Sequence, residues 1–182
     1  MTFDDGVAVQ EVAAPGTVSA AAPLFFPVSP LKLVVMTTCT FGLYGLFWFY
    51  ENWWLVRLRE RSRLVPVLRA MFAYLFCYSL FRRVRNASTE HGLQAMAAGP
   101  LAAGWIFFAL LGVLPPPYGL GSYLAVFFLV RVQVEVNRIN AVAVPDHDRN
   151  ARFSAGNIAT VVIGGLLFLA TLALLILNPR RI

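Results

Sequence analysis

Long apolar runs broken by short arginine-rich stretches set the plan of the chain. From Leu31 to Tyr50 (LKLVVMTTCTFGLYGLFWFY) nearly every position is apolar, and ~20 residues at ~1.5 Å each give the ~30 Å of a bilayer core. This run predicts a first membrane span at 31–50, with Pro30 as a first-turn residue. Thr37, Thr38 and Thr40 can return their hydroxyls to carbonyls four residues back, and Gly42 and Gly45 allow a neighbouring backbone to come close. Further apolar runs predict spans at about 98–114, 122–138 and 157–177. The Pro115–Pro117 stop predicts a tight turn between the second and third. Ser154 or Asn157 is placed to cap the last, and Gly164 and Gly165 to mark its packing face.

Between the first and second spans lies a different pattern. Residues 51–64, ENWWLVRLRERSRL, alternate arginine with Trp, Leu and Val, the make-up of an amphipathic helix lying in the interface. The run 65–81 is short for a span and holds Arg69, while Arg82, Arg83 and Arg85 follow it at once. If it crossed, those three arginines would lie outside; as a re-entrant or interfacial segment it keeps all eight arginines from Arg57 to Arg85 inside, as the positive-inside rule prefers. The predicted fold class is therefore all-α: a polytopic helical membrane protein with four transmembrane helices, one re-entrant or interfacial amphipathic segment at 51–85, and both termini exterior.

Residues 1–24 carry Asp4, Asp5 and Glu11 without a basic residue and are rich in Ala, Gly, Pro, Ser and Thr, which predicts a disordered tail. They lack a basic n-region and an apolar h-region, so no signal cleavage is expected. Residues 25–182 form a single integral membrane domain, approached through an extended stretch held by Pro27 and Pro30.

Composition agrees with this pattern. The 182 residues are 59% hydrophobic and 13% charged, with a mean hydropathy of +0.69, against roughly 25% charged residues in soluble domains. The net charge of +6, with every basic residue but Lys32 an arginine, reads as topology determinants facing anionic lipid rather than as a nucleic-acid surface. Candidate lipid or partner contacts are Trp53, Trp54, Arg57, Arg59, Arg61, Arg63, Arg82, Arg83 and Arg85.

The most informative polar stretch is 131–140. On a helix, Arg131, Glu135 and Arg138 share one face at i, i+4 and i+7, while Gln133, Asn137 and Asn140 fall on roughly the opposite one. Gln133, Glu135, Asn137, Arg138 and Asn140 are thus a candidate polar bundle face, the feature a small transporter or channel subunit would use. The favoured alternative is a helix that runs on into the cytoplasm with solvated ion pairs.

Catalytic chemistry finds little support. Glu51, Glu60, Glu90 and Glu135 are isolated, His91 and His147 lie in loops, and no nucleophile elbow, zinc-helix or phosphate-loop motif is present. Asp146, His147 and Asp148 are adjacent and cannot converge on one ion without other ligands. Cys39 and Cys77 sit in apolar runs without metal-ligand spacing and read as packing residues; a disulfide between them is not shown by sequence alone. No enzyme activity, metal or cofactor is expected.

The stretches SPLKLVVMTTCTFGLYGLFWFYENWW, PVLRAMFAYLFCYSLFRRV, NRIN and FSAGNIATVVIGGLL resemble a family of uncharacterised bacterial multi-pass membrane proteins, over about Phe25 to Leu177. The resemblance implies a bacterial cytoplasmic (inner) membrane and carries no functional residue. The expected role is non-enzymatic, organising or regulating a protein partner, a second copy or anionic lipid, with no nucleic acid bound.

Overall fold

The computed structural model describes residues 22–177. Within them the chain forms seven α-helices, α1 Pro30–Cys39, α2 Leu43–Glu60, α3 Pro66–Met71, α4 Ala73–Glu90, α5 Ala98–Leu110, α6 Ala125–Ala143 and α7 Ala155–Leu177, with 3₁₀ turns at Leu111–Val113 and Tyr118–Leu124. The described residues contain no strand. The terminal arginines Arg180 and Arg181, and most of the predicted N-terminal tail, lie outside the described residues.

The run expected to be one span at 31–50 is instead two helices. Ser29 opens α1, its Oγ accepting from Lys32 N at 3.2 Å, with Pro30 in the first turn. The helix closes in a Schellman arrangement: Gly42 N donates to Thr37 O (2.8 Å) and Phe41 N to Thr38 O (3.2 Å). Phe41 and Gly42 both take positive φ, 53° and 90°, a conformation that Gly42 supplies without steric cost. The chain then doubles back. Thr37 of α1 faces Gly45 of α2, whereas Phe26, ahead of α1, lies against Asn52 further along α2. Phe25 to Glu60 is therefore a helical hairpin whose tip is Thr40–Gly42. Apolarity alone does not reveal such a break, because the 31–50 run is apolar on both sides of it.

Of the expected four spans, two helices among the described residues are long and apolar enough to cross a membrane: the 118–143 unit ending in α6, and α7. The expected 98–114 span is the shorter apolar helix α5 with its 3₁₀ extension. Within the 51–85 segment, 51–60 completes α2, and α3 and α4 follow with a kink at Phe72. At the end of α4, Gly92 (φ 70°) is the residue that lets Leu93 N reach Ser88 O at 2.8 Å.

The core is built around α6 and α2. Leu129, Val132, Val136 and Ile139 of α6 are buried with Trp48, Phe49, Trp53 and Val56 of α2 and with Cys77, Leu80, Phe81 and Val84 of α4. Aromatic rings tie the helices together, with Phe49 edge-on to Trp105 of α5 at 4.9 Å and stacked on Phe81 at 6.4 Å. Cys77 is buried, Cys39 partly so, and both are free thiols.

α7 behaves differently. Gly164 is its one buried residue, and a β-carbon there would overlap the Cys39 carbonyl, so α7 rides directly on the backbone of α1. The expected glycine face is thus its contact face. Phe168 adds rings against Phe41 (6.2 Å) and Tyr123 (5.1 Å). The remaining surface stays open, with Ile163, Leu166, Leu169 and Ile176 60 to 68% exposed. An unburied helix of this apolarity is costly in water and comfortable in hydrocarbon.

Candidate functional site

Polar chemistry gathers at the end of the molecule opposite the hairpin tip. The extended stretch Leu24–Val28 enters there and lies between α2 and α6, with Phe25 and Val28 fully buried. Its main chain meets no helix or sheet ladder, so its amide and carbonyl groups must find side chains. Four carboxamides supply them. Asn140 Oδ1 accepts from Leu24 N (3.0 Å) and Phe25 N (3.2 Å), while its Nδ2 donates to Phe25 O (2.8 Å). Asn52 Oδ1 accepts from Phe26 N at 3.2 Å, and its Nδ2 returns to Trp48 O at 2.8 Å. Gln133 Nε2 donates to Phe26 O (3.1 Å) and to Asn137 Oδ1 (2.8 Å), and Asn137 Nδ2 donates to Val28 O (2.9 Å). Trp48 Nε1 donates to Gln133 Oε1 and completes the set.

Proline at 27 fits this stretch because it has no N–H to satisfy and holds φ near the extended range. Carboxamides are the suitable residues, since each offers both a donor and an acceptor to a backbone that carries both. Gln133, Asn137 and Asn140, three members of the candidate polar face, are thus bonded to the chain's own backbone. Leu24, expected at the end of a disordered tail, is held by Asn140 and by Arg59 Nη1, which donates to its carbonyl at 3.1 Å.

The opposite side of α6 carries Glu135. Glu135 is buried and accepts from Ser88 Oγ (2.5 Å) and from Arg138 Nη1 (3.5 Å), while Arg138 itself is largely exposed. Arg131 is exposed at the start of this stretch. The asparagine of the Asn86-Ala87-Ser88 sequence stands exposed on α4, but Ser88 is spent on Glu135.

The nine candidate lipid or partner contacts divide into two groups. Trp53 is fully buried, with the guanidinium groups of Arg69 and Arg83 over its ring at 4.4 and 5.3 Å. Arg83 also grips Glu60 through two hydrogen bonds, 2.9 and 3.2 Å, and reaches Ser79 at 3.0 Å. The bond from Arg83 holds the Glu60 carboxyl below the usual carboxylate range. Arg59 lies over Phe25 at 4.7 Å. These residues brace the hairpin. Arg69, the awkward charge of the 65–81 run, is accommodated by aromatic faces. Trp54, Arg57, Arg61, Arg63, Arg82 and Arg85 stay exposed, with Arg57 over the Trp54 ring at 5.7 Å.

Lys32 is a residue that sequence reading passed over. It is buried in the first turn of α1, donating to Asn150 Oδ1 (2.7 Å) and Arg152 O (2.8 Å), with the Phe153 ring 5.9 Å away. It pins the 144–154 loop to α1. His147 Nδ1 lies 2.6 Å from Val144 O and His91 Nδ1 2.8 Å from Ala87 O, so both rings serve local turns. Among the described residues no group of three His, Cys, Asp or Glu side chains could hold a metal ion. No protein-family model, curated protein or solved structure matches the chain.

Proposed function

We propose that the chain is a non-enzymatic integral membrane protein of the bacterial inner membrane, and that it organises or regulates a partner through an arginine surface that takes anionic lipid. The observation that carries this reading is the outward row Arg57, Arg61, Arg63, Arg82 and Arg85 beside the exposed Trp54. Arg61, Arg63, Arg82 and Arg85 are exposed, and Arg57 lies over the exposed Trp54 ring. The bacterial assignment rests on the sequence resemblance alone.

The same geometry supports a topology different from four straight spans. Leu24 shares its end of the molecule with Arg59, Asn140 and the Arg83–Glu60 pair. In this reading α1 and α2 form a re-entrant hairpin from the cytoplasmic side, α5, α6 and α7 cross, and residue 24 is inside with the arginines. Both arrangements keep Arg57 to Arg85, Arg149 and Arg152 on the cytoplasmic side, so what supports the hairpin is the turn at Thr40–Gly42 and the return of α2 alongside α1.

A transporter or channel subunit is the second reading, and it was motivated by Gln133, Asn137 and Asn140. Those carboxamides are engaged by Phe26, Val28 and Phe25 main chain, so they offer little to a passing solute. The test is retention of phosphatidylglycerol by the purified protein in native mass spectrometry. Replacing Arg57, Arg61, Arg63, Arg82 and Arg85 by Gln is expected to weaken retention by roughly fivefold per charge near the surface. Unchanged retention, or solute flux through liposomes that Gln133→Ala abolishes, would overturn the proposal.

A further inference from the structure

The chain enters the fold beside the arginine surface. Leu24 N donates to Asn140 Oδ1 (3.0 Å), and Leu24 O accepts from Arg59 Nη1 (3.1 Å). Arg59 stands two residues from Arg57 and Arg61 and four from Arg63, so their Cα atoms lie within ~15 Å of its own at 3.8 Å per step. The Arg83–Glu60 pair, at 2.9 Å, brings the end of α4 with Arg82 and Arg85 to the same place. Among the described residues the two salt bridges are Arg83–Glu60 and Arg138–Glu135, and none of Arg57, Arg61, Arg63, Arg82 and Arg85 takes part in either.

The sequence ahead of Leu24 carries the opposite charge. Asp4, Asp5 and Glu11 stand there without a Lys, Arg or His. Glu11 is thirteen residues from Leu24 and Asp4 twenty, a reach of at most about 45 and 70 Å at ~3.6 Å per residue, which covers the whole row from its edge. A covalent tether of this kind sets an effective concentration on the order of millimolar. Exposed ion pairs are individually weak and screened by salt, so such a contact forms and also gives way. Anionic headgroups attract every basic residue near the bilayer surface at once, and they are competitors able to displace it.

We propose that the acidic segment 4–11 lies on this arginine row in cis, with Asp4, Asp5 and Glu11 taking guanidinium groups that anionic headgroups otherwise take, so that segment and lipid compete for one surface. This regulation rests on the arginine-surface reading above. The test uses the full-length protein in nonionic detergent, with Ala8→Cys and Val65→Cys, the latter an exposed position beside Arg63, Cys39 and Cys77 replaced by Ala, and a short bismaleimide. Cross-linking within the monomer band is expected to run about threefold faster than in the same protein carrying Asp4→Asn, Asp5→Asn and Glu11→Gln. That gain is expected to vanish in ~1 M salt, where the Debye length is ~3 Å, and on adding phosphatidylglycerol but not phosphatidylcholine. By native mass spectrometry the neutralised variant is expected to retain phosphatidylglycerol about threefold better than the parent. Equal cross-linking rates in the two proteins would overturn the inference, as would a charge-dependent cross-link confined to the dimer band, which places the segment on a second copy. Equal lipid retention would overturn it too, and if replacing the five arginines by Gln still lowered retention in both proteins, the arginine surface would stand without this regulation. Retention indifferent to those arginines would instead sink the reading on which the inference rests, and the inference with it.

Discussion

Asn140→Ala removes the residue that holds the entry of the chain into the fold. Three hydrogen bonds are lost, to Leu24 N, Phe25 N and Phe25 O. Leu24 is only partly buried, so its N–H can find water or a headgroup; Phe25 is fully buried, and its N–H and C=O have nowhere to turn. Two orphaned buried groups at about 1–3 kcal/mol each amount to roughly 2–6 kcal/mol. Polar contacts within membrane proteins tend toward the low end, averaging about 0.6 kcal/mol by double-mutant cycles, because the unfolded chain in lipid finds partners too. The lower half of the range is therefore expected, about 2–3 kcal/mol, which at about 2–4 °C per kcal/mol is a fall of some 5 °C or more in melting temperature. The assay is thermal melting of the detergent-solubilised protein followed by size-exclusion fluorescence, with Asn86→Ala on the exposed face of α4 as the control, expected within about 0.5 kcal/mol of the parent. If Asn140→Ala melted with Asn86→Ala, the carboxamides would not be holding the 24–28 stretch.

Other consequences follow from single contacts. Gly164→Val puts side-chain atoms where the Cys39 carbonyl stands, so α7 must move off α1, and the variant is expected to melt clearly below the parent, whereas Gly99→Ala, whose site is open, is expected within about 1 kcal/mol of it. Trp53→Ala empties volume between Arg69 and Arg83 and is expected to cost about 3–5 kcal/mol by chemical unfolding, the range for truncating a buried aromatic to alanine. Glu60 has its folded pKa lowered by Arg83, so its stabilising contribution is present in full above the unfolded carboxyl value of about 4.3 and is lost as pH falls through the lower folded value. Parent and Glu60→Gln melting curves are accordingly expected to differ at pH 7 and to converge toward pH 3; a constant offset would mean that the pairing does not set the difference. Asn137→Ala, which frees only Val28 O and one Gln133 bond, is expected to cost less than Asn140→Ala.

Much of the helical plan was legible because apolar runs and their stops are local. Ser154 does open α7, with Asn157 N on its Oγ at 3.3 Å, and Pro30 does start α1. The Gly164 contact face was readable because a small residue amid Leu and Ile marks close approach. What escaped was non-local. Nothing in LKLVVMTTCTFGLYGLFWFY distinguishes one straight span from a hairpin, because the break rests on Phe41 and Gly42 taking positive φ, and an isolated glycine in an apolar run is common in membrane helices. The amides at 133, 137 and 140 were visible as a face, yet their partner was a backbone segment more than one hundred residues earlier. Two clues to it were in view: the extended bias at Pro27 and Pro30, and Asn52 set in an otherwise aromatic helix. In the arginine cluster, burial separates Trp53 from Trp54 although they are neighbours, because successive residues on a helix point about 100° apart.

The hairpin, with Leu24 on the arginine side, is tested most directly by labelling intact cells with a membrane-impermeant maleimide. Single cysteines would stand at Ala22, Arg61 and Leu120, all exposed positions, in a background with Cys39 and Cys77 replaced by Ala. The hairpin predicts that Leu120→Cys is labelled while Ala22→Cys and Arg61→Cys react only after the cells are opened. Labelling of Ala22→Cys together with Leu120→Cys, with Arg61→Cys still protected, would mean that the 31–50 run crosses the membrane as one span.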